Sequence, residues 1–149
     1  MALNFNQYAA EGNTFMKAYA KELGLTKDLD KAGRILITIL HGIRSMISTE
    51  ESLQLIAQLP MFLKAIYVNG WAIKAKKEKI KSMEDFIDHL RTISKKTSLV
   101  DFDSNEIAEK DVYSTFYMLR NYVSSGQMDD VIGQMPKQLK RLFYNYSFK

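Results

Sequence analysis

Cysteine is absent from this chain of 149 residues, which removes disulfide frameworks, thiolate nucleophiles and cysteine-ligated zinc. A reducing cytoplasm is the expected compartment. There are only two histidines, His41 and His89, and neither has a second histidine three or four residues away, so no helical metal pair exists. No glycine-rich phosphate loop is present, and no serine or threonine stands in a recognisable nucleophile motif. The longest apolar run, Ile35 to Leu40, is interrupted by Thr38 and is far too short to span a bilayer. The N-terminal run Met-Ala-Leu-Asn-Phe-Asn-Gln lacks the basic start and apolar core of a signal peptide. These absences leave no catalytic, cofactor-binding or metal-binding signature, and no residue is assigned to such a site.

The charged fraction is that of an ordinary globular chain, and the basic excess is spread evenly. The net charge of +4 divides evenly, +2 in residues 1–75 and +2 in residues 76–149, which is weak grounds for a nucleic-acid partner. Two local segregations stand out. Lys74 to Lys81 holds five lysines against Glu78, and Asp101 to Asp111 holds five acids against Lys110. Both read first as solvated segments.

The remaining pattern is helical throughout. Phe5, Ala9, Gly12, Met16, Tyr19 and Leu23 recur at three- and four-residue steps and predict a helix ended by Gly24. Gly12-Asn13 weakens its middle, so Asn13 is an alternative N-cap. Asp28 or Asp30 opens a second helix with the stripe Ala32, Leu36, Ile39, Ile43 and Met46, and with Arg34, Thr38, His41 and Ser45 on its polar side.

Ser48 with Glu51 forms a capping box for a third helix, with Leu53, Ile56, Ala57 and Leu59 inward. Pro60 then starts a fourth helix, carrying Leu63, Ile66 and Tyr67 and ending near Asn69-Gly70. A lysine-rich connector follows. Ser82 with Asp85 caps a helix bearing Met83, Phe86, Leu90 and Ile93, which Lys95 to Ser98 breaks. Asp103 with Glu106 opens the next, with Ile107, Val112, Phe116, Leu119 and Val123 inward. Ser124 with Gln127 is a second capping box, and Pro136 opens a last helix through Leu139, Leu142, Phe143 and Tyr146.

Both prolines lie inside an internal echo. Shifted by 76 residues, 48–69 and 124–145 share seven of twenty-two positions: Ser48/Ser124, Ile56/Ile132, Gln58/Gln134, Pro60/Pro136, Leu63/Leu139, Lys64/Lys140 and Asn69/Asn145. Cap, kink and inward positions coincide. Upstream, the first helices align Phe15 with Phe86 after a gap of a few residues. The expectation is a single all-α domain over 1–149. It is a helical bundle of two pseudo-symmetric repeats with proline-started helices: repeat 1 about 13–71, a connector 72–81 and repeat 2 about 82–146.

The runs Leu40-His-Gly-Ile-Arg44, Ala57-Gln-Leu-Pro60, Lys64-Ala-Ile-Tyr67, Gly70-Trp71, Gln134-Met-Pro136 and Leu139-Lys-Arg-Leu-Phe143 together resemble the bacterial domain-of-unknown-function family 2267. The resemblance covers nearly the whole chain. It implies an all-helical bacterial protein of two similar halves and carries no established activity. Ser45 stands where family members often have aspartate, and Phe15 and Phe143 where they favour tryptophan.

Candidate sites are weighed against plain packing. His41 lies on a polar stripe, and its counterpart in the second half is Tyr117. Glu50-Glu51 and Asp129-Asp130 suit the first turns of helices, where the dipole favours acids, better than a carboxylate metal site. Gln58 and Gln134 are expected to bond free carbonyls at the kinks. The C-terminal cations Lys137, Lys140 and Arg141 are read as the wet side of the last helix. The leading functional expectation is a non-enzymatic protein-interaction module with an unknown protein partner and no fixed oligomeric state. The partner surface is Trp71, Lys74, Lys76, Lys77 and Lys79. The alternative is electrostatic binding of an anionic polymer (a nucleic acid) or membrane surface through Lys74 to Lys81 and the C-terminal cations.

Overall fold

The computed structural model describes residues 3–74 and 76–141. Within them the chain is entirely helical and packs as a bundle around one hydrophobic core, with no strand among the described residues. The predicted positions of Leu142, Phe143 and Tyr146 lie outside the described residues.

Helix α1 (Phe5–Leu23) runs unbroken through Gly12-Asn13, so the cap is Asn4, whose side chain accepts from the Asn6 N–H, and not Asn13. Gly12 is there for a close approach. A Cβ on it would sit 3.3 Å from the Phe62 Cβ. Gly24, at φ 72°, closes the helix in the left-handed conformation that glycine adopts without strain. Phe5 and Ala9, expected inward, are exposed, and full burial on α1 begins only at Phe15.

Helix α2 (Leu29–Met46) starts at Asp28, which accepts from the Lys31 N–H. It packs against α1, against α4 (Met61–Val68), against α5 (Met83–Ser94), against the short α6 (Ser98–Asp101) and against α7 (Asn105–Leu119). Ala32, Ile35, Leu36, Ile39, Leu40 and Ile43 are fully buried. So is Thr38, which the sequence placed on the polar side.

Helix α3 (Thr49–Gln58) departs from its expected phase. Leu53 and Ala57 are exposed, and the buried positions are Glu51, Ser52 and Leu55, with Leu59 just beyond. The inward row is polar because polar groups await it: Ser52 Oγ meets the Tyr67 hydroxyl at 2.7 Å. Pro60 is the N-cap of α4, and Leu63 and Tyr67 are buried. The described residues of the connector then run without helix to Ser82, and their one buried apolar side chain is Ile80.

Helix α5 is capped as expected, Ser82 Oγ accepting from the Asp85 N–H while Asp85 accepts from the Lys81 N–H. The break at Lys95 to Ser98 is a tight helical turn, Lys95–Thr97, entered with Lys95 at φ 52° and running directly into α6. Helix α7 is capped by Ser104 and not Asp103. Its buried row is Ala108, Asp111, Val112, Thr115, Phe116 and Leu119, so Ile107 falls off it and is exposed. Helix α8 (Ser125–Gly133) is capped by Ser124 and packs against α3. Residues 137–141 are helical again after Pro136.

The tightest joint is α2 against α5. A Cβ at Gly42 would lie 2.6 Å from Leu90 Cδ2 and 3.1 Å from Phe86 Cε1. Gly42→Ala is therefore expected to lose about 1–3 kcal/mol of stability by overpacking, despite alanine's better helix propensity. Gly126→Ala, with open space around it, should be neutral or slightly stabilising. Denaturant titration of both variants checks this, and an undiminished midpoint for Gly42→Ala would contradict the packing described.

Candidate functional site

Three regions carry polar or aromatic groups that could do more than fill space. The first is the connector. Trp71 is half-buried and stands edge-on to Tyr67, ring centroids 6.0 Å apart. With Arg44, Ser45, Gly70, Ala72, Lys76, Lys77 and Glu78 it lines a cavity of about 180 Å³. Lys77 is turned inward, its Nζ donating to the Arg44 carbonyl at 3.0 Å, and burial pushes its pKa down. The Glu78 N–H donates to the Ser45 carbonyl. Both bonds satisfy carbonyls at the C-terminal end of α2, where the dipole favours a cation. Of the five candidate surface residues, Lys74, Lys76 and Lys79 are exposed to solvent, whereas Lys77 fastens the connector.

The second region is the contact of α3 with α8. The Ser48 hydroxyl accepts from the Glu51 N–H, and the Ser124 hydroxyl from the Gln127 N–H, each at 3.1 Å. The reciprocal half of each capping box is supplied by the other segment. The Ser48 N–H donates to Gln134 Oε1 at 2.7 Å, and the Ser124 N–H to Gln58 Oε1 at 2.8 Å. Gln58 and Gln134 thus serve N-caps across the contact and not the carbonyls at the kinks. That releases the side chains at position three of each box to meet each other: Gln127 Nε2 donates to both Glu51 carboxylate oxygens at 3.2 Å. Gln58 Nε2 completes the row by donating to Gln127 Oε1 at 3.3 Å. Glu50, Asp129 and Asp130 are exposed, and no group of three or more acids or histidines among the described residues is placed to hold a metal ion.

The third region was not visible in the sequence. Phe15, Phe62 and Tyr122 come together from α1, α4 and the end of α7, with ring centroids 5.4 Å (Phe15–Phe62), 6.0 Å (Phe15–Tyr122) and 6.1 Å (Phe62–Tyr122) apart. They line a mainly apolar groove of about 440 Å³, together with Ala10, Glu11, Thr14, Ala18, Pro60, Met118 and Asn121. No local pattern links residues so far apart. The available signal was that Phe62 and Tyr122 belong to no inward stripe.

Burial shifts several titratable groups elsewhere. His41 Nε2 donates to the Ile66 carbonyl at 2.8 Å, and burial lowers its pKa. His89 is lowered by burial too, and its Nε2 has no hydrogen-bond partner. Burial raises the Tyr67 hydroxyl to about 12. Asp111, in the α7 row that faces the core, is raised by burial to about 6, with Lys31 and Lys110 pulling it back. Asp111 lines none of the described pockets.

The family described as an uncharacterized conserved protein (DUF2267) matches residues 12–142, and the chain belongs to that family. No curated protein matches the chain. No described helix is long and apolar enough to cross a membrane.

Two titration experiments follow from these sites. A folded-state pKa of about 6 against an ordinary 3.8 means that Asp111 binds protons more tightly in the folded chain. Stability is therefore expected to fall as pH rises through that window and to level off above it, and Asp111→Asn should remove the slope. Gln127→Glu would set two carboxylates face to face. It is expected to cost on the order of 1–3 kcal/mol at neutral pH, with the deficit shrinking near pH ~4.5 as one proton is shared. Urea titration at both pH values decides, and an equal deficit at both would count against direct contact of these side chains.

Proposed function

We propose that this member of the family is a non-enzymatic protein-interaction module of the bacterial cytoplasm, built from two copies of one helical unit. Its docking site is the aromatic groove between α1, α4 and α7. The observation that carries the reading is the groove itself: three contiguous rings, mainly apolar walls and an opening to solvent. Tyr122, at its edge, is 38 % exposed. Large aromatic surface in a desolvatable pocket with a polar rim is the arrangement that concentrates binding energy at protein interfaces. Glu11 and Asn121 supply the polar rim. The occupant this chemistry fits is an apolar anchor side chain on a partner protein, accompanied by a basic residue placed to meet Glu11.

The duplication reading rests on the equivalent caps Ser48 and Ser124 and on the exchange of Gln58 and Gln134 between them. The lack of cysteine suits a reducing cytoplasm. Trp71 is the other aromatic candidate for an anchor, but it stands alone over Tyr67 where the groove offers three rings.

The alternative occupant class, a nucleic acid or an anionic membrane surface at Lys74, Lys76 and Lys79, predicts a different response. The test selects peptides from a random library on the full-length chain and measures their affinity for Tyr122→Ala, for Glu11→Lys and for a Lys74, Lys76, Lys79→Ala variant. Loss of about tenfold or more in the first two, with the third unchanged, is expected. The same proteins are titrated with RNA, DNA and anionic vesicles from about 50 to 200 mM salt. Strong, salt-sensitive binding that the lysine variant abolishes, with peptides indifferent to the groove changes, would overturn the reading.

A further inference from the structure

We infer a second binding site, for a compact phosphate-bearing anion, in the pocket where the end of the connector meets the residues after Pro136. It measures about 440 Å³ and is lined by Lys81, Pro136, Lys137, Gln138 and Arg141. The fold, and not a run of charges in the sequence, gathers these three cations. Lys81 precedes α5, while Lys137 and Arg141 lie one turn apart on the last described helical stretch.

All three cations are exposed, and none belongs to either ion pair found between described residues, Arg34–Asp101 and Arg91–Asp88. No carboxylate is among the described residues that line the pocket. Asp85, four residues on, has one carboxylate oxygen occupied by the Lys81 backbone N–H at 3.0 Å, and neither Glu78 nor Glu84, three residues to either side, is among the lining residues of the pocket. Like charges drawn to one pocket repel, and an anion between them removes that repulsion. An arginine fork, two mobile ammonium groups and the Gln138 amide make a donor set suited to phosphate oxygens.

The pocket also has a counterpart. This comparison rests on the duplication proposed above, although the cation cluster stands without it. Under the 76-residue shift Pro136 and Gln138 correspond to Pro60 and Phe62, and with Phe86 aligned to Phe15, Lys81 corresponds to Ala10. Ala10, Pro60 and Phe62 line the aromatic groove. One position in the fold therefore appears twice, apolar and aromatic in the first unit and cationic in the second. This site is separate in place from the lysine run of the connector. Lys76 and Lys79 line a different pocket, with Lys77 and Glu78.

The experiment is calorimetric titration of the full-length chain with inorganic pyrophosphate at low salt, with inorganic phosphate and vesicles containing phosphatidic acid as further arms. One-site binding of pyrophosphate is expected, weakened roughly tenfold or more by Lys81→Ala and by Lys137→Ala with Arg141→Ala. Lys76→Ala with Lys79→Ala should leave it unchanged. These side chains are exposed, so the variants should keep the parent's melting temperature, which is measured alongside. No binding up to about 10 mM pyrophosphate overturns the inference. So do equal losses from both sets of lysine changes, or binding to vesicles alone. The groove variants Tyr122→Ala and Glu11→Lys do not touch this pocket, so failure here and failure of the docking groove are read separately.

Discussion

Enclosing α2 on nearly every side is possible only if its polar groups find partners inside the protein. An unpaired buried donor or acceptor costs about 1–3 kcal/mol. Arg34 meets Asp101 with two bonds of 3.0 and 2.9 Å, which fixes α6. His41 and Arg44 reach the last carbonyls of α4, Ile66 at 2.8 Å and Tyr67 and Asn69 at 2.7 Å each, which fixes where α4 ends. Lys77 and the Glu78 N–H take the carbonyls of Arg44 and Ser45, which fixes the connector. Around this central helix the neighbouring elements are thus positioned by a few directional bonds, while burial of Ile35, Leu36, Ile39, Leu40 and Ile43 supplies most of the driving force.

The contact of α3 with α8 follows a different logic. If the two segments are copies of one unit, residues beside the axis relating them meet their own counterparts. Glu51 and Gln127 are such a pair, 76 residues apart and in contact. Two glutamates there would repel, whereas glutamine donates where glutamate accepts. If they are copies, it is the difference between glutamate and glutamine at this position that makes the contact bonded rather than repulsive. The Gln58 and Gln134 bonds lie away from the axis, where each donor meets a non-equivalent acceptor, and there both copies keep glutamine.

Much of the helical content was legible because it depends on local rules. The caps at Asp28, Ser48, Ser82 and Ser124, the stop at Gly24 and the strong stripe of α2 need only neighbours in sequence. The misreadings share one cause. Leu53 and Ala57 were expected inward because they are apolar, but the row facing α8 and Tyr67 is polar, so Glu51 and Ser52 are buried instead. Ile107 and the Asp103 cap failed by the phase of a single residue, since the row led by Ala108 and Asp111 packs against the core. Lys77 read as one solvated lysine among five, because a carbonyl thirty-three residues back is invisible to local patterning. The groove was illegible for the same reason: Phe15, Phe62 and Tyr122 become neighbours only when three helices are in place.

A duplicated unit carries each of its surfaces twice, and the two versions need not keep the same chemistry. Core positions are held to one solution by packing: Leu63 and Leu139 are both fully buried, and Ile56 and Ile132 both lie against the core. The positions flanking them on the wet side are free to change, and they have. Met61, Phe62 and Ala65 stand where the second unit has Lys137, Gln138 and Arg141. Solvent exposure alone favours polar residues in both copies and gives no reason for the first to keep a phenylalanine over Gly12 and beside Tyr122. Nor does it favour gathering cations around a pocket with no acid among its described lining residues. Under the duplication proposed above, one structural position carries an apolar, aromatic lining in the first segment and a cationic lining in the second.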